Sequence, residues 1–225
     1  MSDARSTILD AVRLALGRER AGRASTTPAE IAAEAAALGA RIAATRPDRV
    51  TGPADQAVLD RVTSPGSAAT AERSATLAEL PAAVSRYLGG QGLAASVALQ
   101  PHPALLALDW TGVETHGTIG VDEPAAVGLA LAGIAETGSV VFHSGPAAPT
   151  LFAFLPLHHI VAVPAGSIFR WLEDYADAES GNPKPRNVNL VTGASGTTDI
   201  EGVMVKGAHG PGHLHIVLVG TADRG

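Results

Sequence analysis

The chain has 225 residues, a formal net charge of −6 and no cysteine. This length fits one domain, or one domain with an N-terminal extension. The missing thiols exclude disulfides, thiolate zinc sites, cysteine-ligated iron–sulfur clusters and a cysteine nucleophile. The sequence has no cluster of Lys and Arg that would indicate a nucleic-acid surface. It also lacks the pattern of a secretory signal and any run of ~20 apolar residues that could span a membrane. We therefore expect a cytoplasmic protein that binds neither nucleic acid nor membranes.

The first part of the chain favours helices. Apolar residues recur at helical spacing over 8–16. A capping box formed by Thr27 and Glu30 predicts a second helix, which continues to about residue 44. The segment 46–75 is polar and rich in turn residues, and no element is assigned to it.

From residue 80 onward the pattern changes to β-type. A helix over about 80–88 is expected to end at Gly89-Gly90. A further helix is predicted over 167–176, where apolar residues fall on one face. Short apolar runs predict strands at 95–99, 105–110, 127–134, 139–142, 160–163, 188–191 and 214–219.

These elements predict an α/β fold class. Apolar runs with helices between them are typical of a parallel sheet that is covered on both faces. Glu136-Thr137-Gly138 separates two runs closely enough for a hairpin turn, so the sheet is expected to be mixed but rich in parallel pairs. We predict a helical N-terminal extension over 1–48 and an α/β domain over 49–225.

The first candidate loop is the turn Glu136-Thr137-Gly138. A carboxylate beside a hydroxyl at the rim of a sheet can act as a nucleophile or a general base, which makes Glu136 a candidate catalytic residue. The alternative is an ordinary turn, in which Gly138 supplies a positive φ and Thr137 bonds the local backbone.

The second candidate loop follows the predicted strand 188–191. Its glycine-rich start, with Gly193 and Ser195, exposes backbone N–H groups that can bind an anion if a helix begins nearby. Thr198 and Glu201 form a capping box that supports such a helix, and they can equally be caps without a ligand. If the segment is extended instead, Asp199 and Glu201 share a face, as an acid pair would require.

The third candidate loop is His209-Gly210-Pro211, which precedes the last predicted strand. His213 and His215 lie two apart on that strand, so both rings should point to one side. With His209 they have the donors for a metal ion, or one of them can be a general acid or base. A packed histidine is the competing interpretation, and no established metal-ligand spacing occurs, so no metal site is predicted. Likewise, at most one of the neighbours His158 and His159 can join a shared site.

Four motifs in this order resemble those of the lactate-utilisation protein C family, also called the LUD domain. They are Ala135-Glu136-Thr137-Gly138, Leu155-Pro156-Leu157-His158-His159-Ile160, the segment from Gly193 to Glu201, and Gly207-Ala208-His209-Gly210-Pro211 with Leu214-His215. The resemblance extends over about residues 90–220. Ala194, Gly196 and Thr198 stand where the family usually has Pro, Arg and Ala, so the anion-binding capacity of that Arg is missing here.

The resemblance implies a fold shared with CoA transferases, ribose-5-phosphate isomerase and glucosamine-6-phosphate deaminase. It also implies an accessory or subunit role in the oxidation of L-lactate to pyruvate, with partner proteins that carry iron–sulfur clusters. No cofactor of the chain itself is assigned. The alternatives are a stand-alone transferase or isomerase acting on a small phosphorylated or CoA-linked substrate, and a non-catalytic interaction protein.

We predict that the three loops converge at one edge of the sheet and bind a small carboxylate or a partner there. The expected catalytic residues are Glu136, His209 and Asp199. The expected ligand-binding residues are Thr137, Gly138, Gly193, Ser195, Thr197, Thr198 and Gly210.

Overall fold

The structure is a computed structural model that describes residues 27–45, 50, 52–65, 67–198 and 204–221. The chain divides into two compact units, Met1–Asp48 and Arg49–Gly225. In the described ranges, no helix combines the length and the apolar character that a membrane span requires. The helix predicted over 8–16 lies outside the described residues.

The described helix of the first unit is α1 (Pro28–Thr45). The Thr27 N–H donates to the Glu30 carboxylate at 2.6 Å, and the Glu30 N–H donates to Thr27 Oγ1 at 3.3 Å. This reciprocal pair satisfies two backbone donors of the first turn that have no partner inside a helix. The capping box therefore starts the helix where the sequence predicts it.

The second unit alternates strands and helices. In chain order its elements are α2 (Ala54–Val62), β1 (Ala69–Ser74), α3 (Leu80–Gln91), β2 (Ser96–Leu99), α4 (Pro103–Leu106), β3 (Glu114–His116), β4 (Ala125–Leu129), β5 (Ala132–Ile134), β6 (Ser139–His143), β7 (His158–Pro164), β8 (Ile168–Phe169), α5 (Leu172–Ala178), β9 (Val188–Thr192), β10 (Gly196–Thr198), β11 (Met204–Lys206) and β12 (His213–Val219).

A six-stranded sheet, in the order β1-β12-β7-β4-β2-β3, forms the centre of this unit, and every neighbouring pair in it is parallel. On one face, Leu80, Val84 and Leu88 of α3 pack with Ile160 and Val217 of the sheet. Because the inner strands are covered on both faces, their buried parts, such as 160–163 in β7 and 216–218 in β12, are apolar and do not alternate.

A smaller sheet, in the order β8-β5-β6-β9, contributes to the second face. Its pairs are parallel between β5 and β8 and antiparallel elsewhere. Val140 and Val191 from this sheet share a core with Val161 and Ile216 of the large sheet. The predicted α/β class is confirmed, and the difference is that the antiparallel pairs lie outside the large sheet, which is wholly parallel.

The run 127–134, predicted as one strand, is two strands in two sheets. The Ala130 N–H still bonds the Ala162 carbonyl of the large sheet at 2.9 Å, whereas the Leu131 N–H bonds the Val141 carbonyl of the small sheet at 2.8 Å. The chain therefore passes from one sheet to the other between these two residues. Apolar periodicity cannot reveal this transfer, because both strands are buried.

Other boundaries also differ from the predictions. The predicted strand over 105–110 is wrong, because α4 and a turn occupy that region. The helix predicted from residue 167 begins only at Leu172, since Ile168–Phe169 pair with β5 as β8. The segment 46–75, which showed no pattern, contains α2 and β1.

The connections of the large sheet reverse direction between β2 and β4. From β2 the chain goes to the edge strand β3, and it then returns to β4 on the other side of β2. In open α/β sheets, ligands bind in the crevice outside the carboxyl ends of the strands at such a switch point. The topology therefore predicts a ligand crevice at the carboxyl ends of β2 and β4.

The end of α3 supplies a test of this fold. The helix runs through Gly89-Gly90, where the sequence predicted its end, and stops at Gly92, which has φ of 68°. A Cβ on Gly90 meets nothing within 4 Å. We expect Gly90→Ala to raise the free energy of unfolding by about 0.5–1 kcal/mol, because alanine loses less backbone entropy in a helix. Gly92→Ala should lower it by about 1 kcal/mol, because L-residues are strained at positive φ.

Urea denaturation of the two single variants measures both effects. A decrease in stability for Gly90→Ala comparable to that for Gly92→Ala would contradict the continuation of the helix to Gln91.

Candidate functional site

A cavity of about 480 Å³ opens at the carboxyl ends of the parallel strands. Gln100, which follows β2, lines it together with Leu129 at the end of β4 and Pro164 at the end of β7. His143 and Ser144, at the end of β6, complete part of the wall. The cavity therefore lies at the switch point that the topology identifies, and the sequence analysis did not anticipate it.

The side chain of Gln100 holds two walls of this cavity together. It is only 2% exposed. Its Nε2 donates to the Ala147 carbonyl at 2.8 Å, and its Oε1 accepts from the Leu129 N–H at 3.0 Å. Both ends of the amide are thus paired, as a buried polar group requires. The bonds fix the end of β4 and the loop after β6 at a set distance.

Behind Gln100 lies a wholly buried histidine, His159. Its ring stacks on Phe142 with centroids 5.6 Å apart, and neither ring nitrogen has a hydrogen-bond partner among the described residues. Asn189 Nδ2 is likewise buried and unpaired, and both side chains line a small recess that also touches Gln100. The recess has about 10 Å³, roughly the space for one water molecule.

Burial lowers the pKa of His159 to about 3, so the imidazole is neutral near pH 7. A neutral imidazole has one N–H donor and one acceptor nitrogen. A Cβ on Gly128 would lie 2.9 Å from both His159 Nε2 and Gln100 Oε1, so only glycine fits beside them. The recess is therefore a polar site enclosed by tight packing.

Four of the predicted site residues come together in a second pocket, of about 180 Å³. Gly193, Ser195, His209 and Gly210 all line it. The Ser195 N–H donates to the Pro211 carbonyl at 2.7 Å, and this bond joins the two loops. His209 is exposed, and its loop leads directly into the amino end of β12. This pocket thus lies at the opposite edge of the sheet from the larger cavity.

The predicted hairpin turn with Glu136 is present between β5 and β6. Gly138 has φ of 70°, and a Cβ there would lie 2.8 Å from Arg61 Cγ, so the turn requires glycine. Glu136 itself is half-buried, and its N–H donates to the Arg170 carbonyl at 3.1 Å. It is not among the described residues that line the His209 pocket.

A chain of hydroxyl groups nevertheless links this turn to the His209 pocket. Thr137 Oγ1 lies 2.6 Å from Ser139 Oγ, which lies 2.6 Å from Thr192 Oγ1. Ser139 is 2% exposed, and Thr192 lines the pocket. The three loops therefore connect, although Glu136 and His209 do not share one cavity wall.

The segment after Ser195 is extended where the structure describes it. β10 pairs antiparallel with β11, with Thr197 opposite Val205 and Thr198 opposite Met204. The described backbone thus favours the extended alternative over a helix that begins at Thr198. Asp199 and Glu201 lie outside the described residues. Thr197 lies beyond the described lining of the His209 pocket.

Backbone N–H groups of the glycine-rich loop bond to neighbouring segments of the chain, which limits the loop as an anion site. The Ala194 N–H donates to the Ser67 carbonyl at 3.1 Å, and the Ser195 N–H is occupied by Pro211. Two of the donors that were expected to face an anion are therefore already paired.

Three further histidines, His158, His213 and His215, form a cluster on the α3 side of the large sheet. His213 and His215 lie on one face, as predicted: His213 stacks on His158 at 4.2 Å, and His215 stacks on Tyr87 at 4.4 Å. The Tyr87 hydroxyl lies 2.9 Å from His158 Nδ1. Within the part of the chain that the structure describes, no three His, Asp or Glu side chains are arranged to hold a metal ion.

Comparisons with known proteins agree with the motifs. Residues 123–219 match the family model described as the LUD domain. A lactate utilization protein C from Deinococcus radiodurans is 29% identical over 82% of this chain and 91% of its own length. A protein of the same name from Geobacillus thermodenitrificans is 34% identical over 49% of each chain. The predicted resemblance to this family is therefore confirmed.

One solved structure supports the fold. A crystal structure of a DUF162 family protein from Deinococcus radiodurans superposes with a TM-score of 0.54 at 20% identity, over 74% of this chain and 96% of that one.

The buried His159 predicts a specific pH dependence of stability. Its pKa is about 3 in the folded chain and about 6.5 when unfolded, so protonation favours unfolding. Its contribution to stability is complete above pH 6.5 and is lost as the pH falls toward 3. Between pH 7.5 and pH 5, we expect the wild type to lose about 2 kcal/mol more stability than His159→Leu.

Leucine is suitable as the replacement because it has a similar volume and does not titrate. Burial also lowers the pKa values of His158 and His215, but these histidines are present in both proteins, so their effects cancel in the comparison. Urea denaturation at the two pH values measures the difference. Equal losses in the two proteins would contradict a neutral, wholly buried His159.

Proposed function

We propose that this LUD-domain protein acts in L-lactate utilisation, as an accessory or subunit protein of a system that oxidises L-lactate to pyruvate. The observation that carries the proposal is the match of residues 123–219 to the LUD domain. This segment contains the Glu136 turn, the Gly193 loop and the His209 loop. The lactate utilization protein C of Deinococcus radiodurans aligns over most of both chains, which supports the same role here.

Lactate oxidation requires a base and an electron acceptor. The conversion of L-lactate to pyruvate releases two protons and two electrons, and one proton comes from the substrate hydroxyl. In our proposal, iron–sulfur partner proteins accept the electrons. The chain has no cysteine with which to ligate such clusters itself.

His209 is the base in this proposal. Its exposed imidazole lines the pocket of about 180 Å³, which is large enough for a small carboxylate. Ser195 and the backbone at Gly193 and Gly210 form the surrounding binding surface. Thr197 and Thr198 follow on the strand that continues the loop, and we propose that they contact the ligand from there. Glu136 acts from the adjoining turn with Thr137 and Gly138, and Asp199 completes the proposed acid–base set.

Deletion of the coding region from the native host tests the role. We expect loss of growth on L-lactate as the sole carbon source, with normal growth on pyruvate. A plasmid copy of the wild type should restore growth, whereas His209→Ala should reduce lactate oxidation by about 100-fold, because a general base contributes at least that much.

His116→Ala is the matched control, since His116 lies outside the described lining of both pockets, and it should restore growth fully. Affinity purification of the tagged wild type from lactate-grown cells provides a second readout for the partners, with iron and acid-labile sulfide expected in the eluate. Undiminished growth of the deletion strain on L-lactate would refute the proposal.

A second candidate function is a stand-alone transferase. The anchored turn favours it, because Gly138 against Arg61 and the bond to the Arg170 carbonyl hold the backbone that carries Glu136 at a fixed position. In this alternative, the carboxylate attacks an acyl-CoA thioester and releases the CoA thiolate. Under our main proposal, mass spectrometry after incubation with acetyl-CoA should detect no covalent adduct. An adduct that Glu136→Gln abolishes would favour the transferase.

A further inference from the structure

We propose that the cavity at the carboxyl ends of β2, β4 and β7 binds an uncharged, largely apolar small molecule that carries carbonyl-type hydrogen-bond acceptors. This site is separate from the His209 pocket and does not depend on the function proposed above.

The walls of the cavity disfavour a charged ligand. The described residues that line it include no Lys, Arg, Asp or Glu. A carboxylate or phosphate that enters such a site loses hydration without gaining a charged partner, which is unfavourable. L-lactate and phosphorylated substrates are therefore poor occupants.

The shape and composition of the walls favour an apolar body. Leu129, Leu131, Phe142, Pro146 and Pro164 supply most of the hydrophobic surface. The volume of about 480 Å³ lies in the range of pockets that hold small organic molecules. Leu131 is 44% exposed, a large apolar side chain that a ligand in the cavity would cover.

Two polar side chains of the wall, His102 and Ser144, each retain a hydrogen-bond donor. His102 Nδ1 accepts from the Ala104 N–H at 3.2 Å, so only an Nε2–H remains to this ring. Ser144 Oγ accepts from the Asn187 N–H at 2.9 Å, which leaves the hydroxyl proton to donate. The Gln100 amide is paired at both ends. A neutral acceptor such as a carbonyl oxygen is the group that pairs best with these uncharged donors.

The recess behind Gln100 is independent support for a ligand site. His159 and the Nδ2 of Asn189 present buried hydrogen-bonding atoms with no protein partner among the described residues. The recess and the larger cavity share Gln100, Phe142 and Ala148 in their walls. A site with unsatisfied polar atoms next to an apolar chamber is typical of ligand pockets, in which a few polar groups fix the orientation.

Binding of 2-methyl-1,4-naphthoquinone tests the proposal. This probe is neutral, planar and apolar, and it carries two carbonyl oxygens. It cannot form a thiol adduct with this chain, because the chain has no cysteine. By isothermal titration calorimetry we expect it to bind at least about tenfold more tightly than 2-methylnaphthalene, which lacks the carbonyls. L-lactate and inorganic phosphate should not displace it.

Two variants locate the site. Leu131→Asp places a carboxylate on the wall and should weaken naphthoquinone binding by about tenfold or more. Leu172→Asp is the matched control, because Leu172 is 41% exposed on α5 and is not among the described lining residues, and it should bind like the wild type. Circular dichroism verifies that both variants fold.

Failure of the folded wild type to bind the naphthoquinone, equal affinities of the two variants, or displacement by L-lactate would each overturn the proposal. Because the titration requires no lactate oxidation, its failure is distinguishable from failure of the growth experiment.

Discussion

Two neighbouring inner strands of the parallel sheet, β12 and β7, are buried on both faces, and the residues at their ends depend on this burial for their positions. Ile160 and Val161 are both wholly buried although they point in opposite directions, and Ile216 and Val217 repeat the pattern. A shift of register by one residue would exchange the two faces of a strand. Since each face packs against a different layer, the packing fixes the register, and His159 cannot exchange places with its neighbours.

Parallel strands place all their amino ends at one edge of a sheet and all their carboxyl ends at the other. His209 precedes β12 and Gln100 follows β2, so the two regions that they define lie at opposite edges. Their chemistry differs accordingly. The amino edge has an exposed imidazole and a chain of hydroxyl groups, whereas the carboxyl edge has an apolar chamber with neutral donors. The carboxylate and the neutral molecule that we propose as ligands would thus not compete for the same atoms.

The sequence predicts the buried strands well and the transfers between layers poorly. β6, β7, β9 and β12 are apolar runs, and their burial makes them recognisable. β1 was missed because it is an edge strand with polar residues such as Glu72 and Arg73. The loops with Glu136 and His209 carry recognisable motifs, but the large cavity does not. Its walls come from strand ends and ordinary apolar residues. The role of Gln100 in joining two of these walls depends on hydrogen bonds that the sequence does not reveal.

The Gln100 amide connects the cavity to the core. It bridges the end of β4 to the Ala147 carbonyl, and its Oε1, like His159 Nε2, lies close to Gly128. A Cβ on Gly128 would collide with both side chains, which are themselves almost wholly buried, so the three residues form one tightly packed group. The floor of the cavity is therefore set by the packing of β4 against β7 and not by a flexible side chain. Such a preformed floor lowers the entropic cost of binding, since little of the protein must be ordered when a ligand enters.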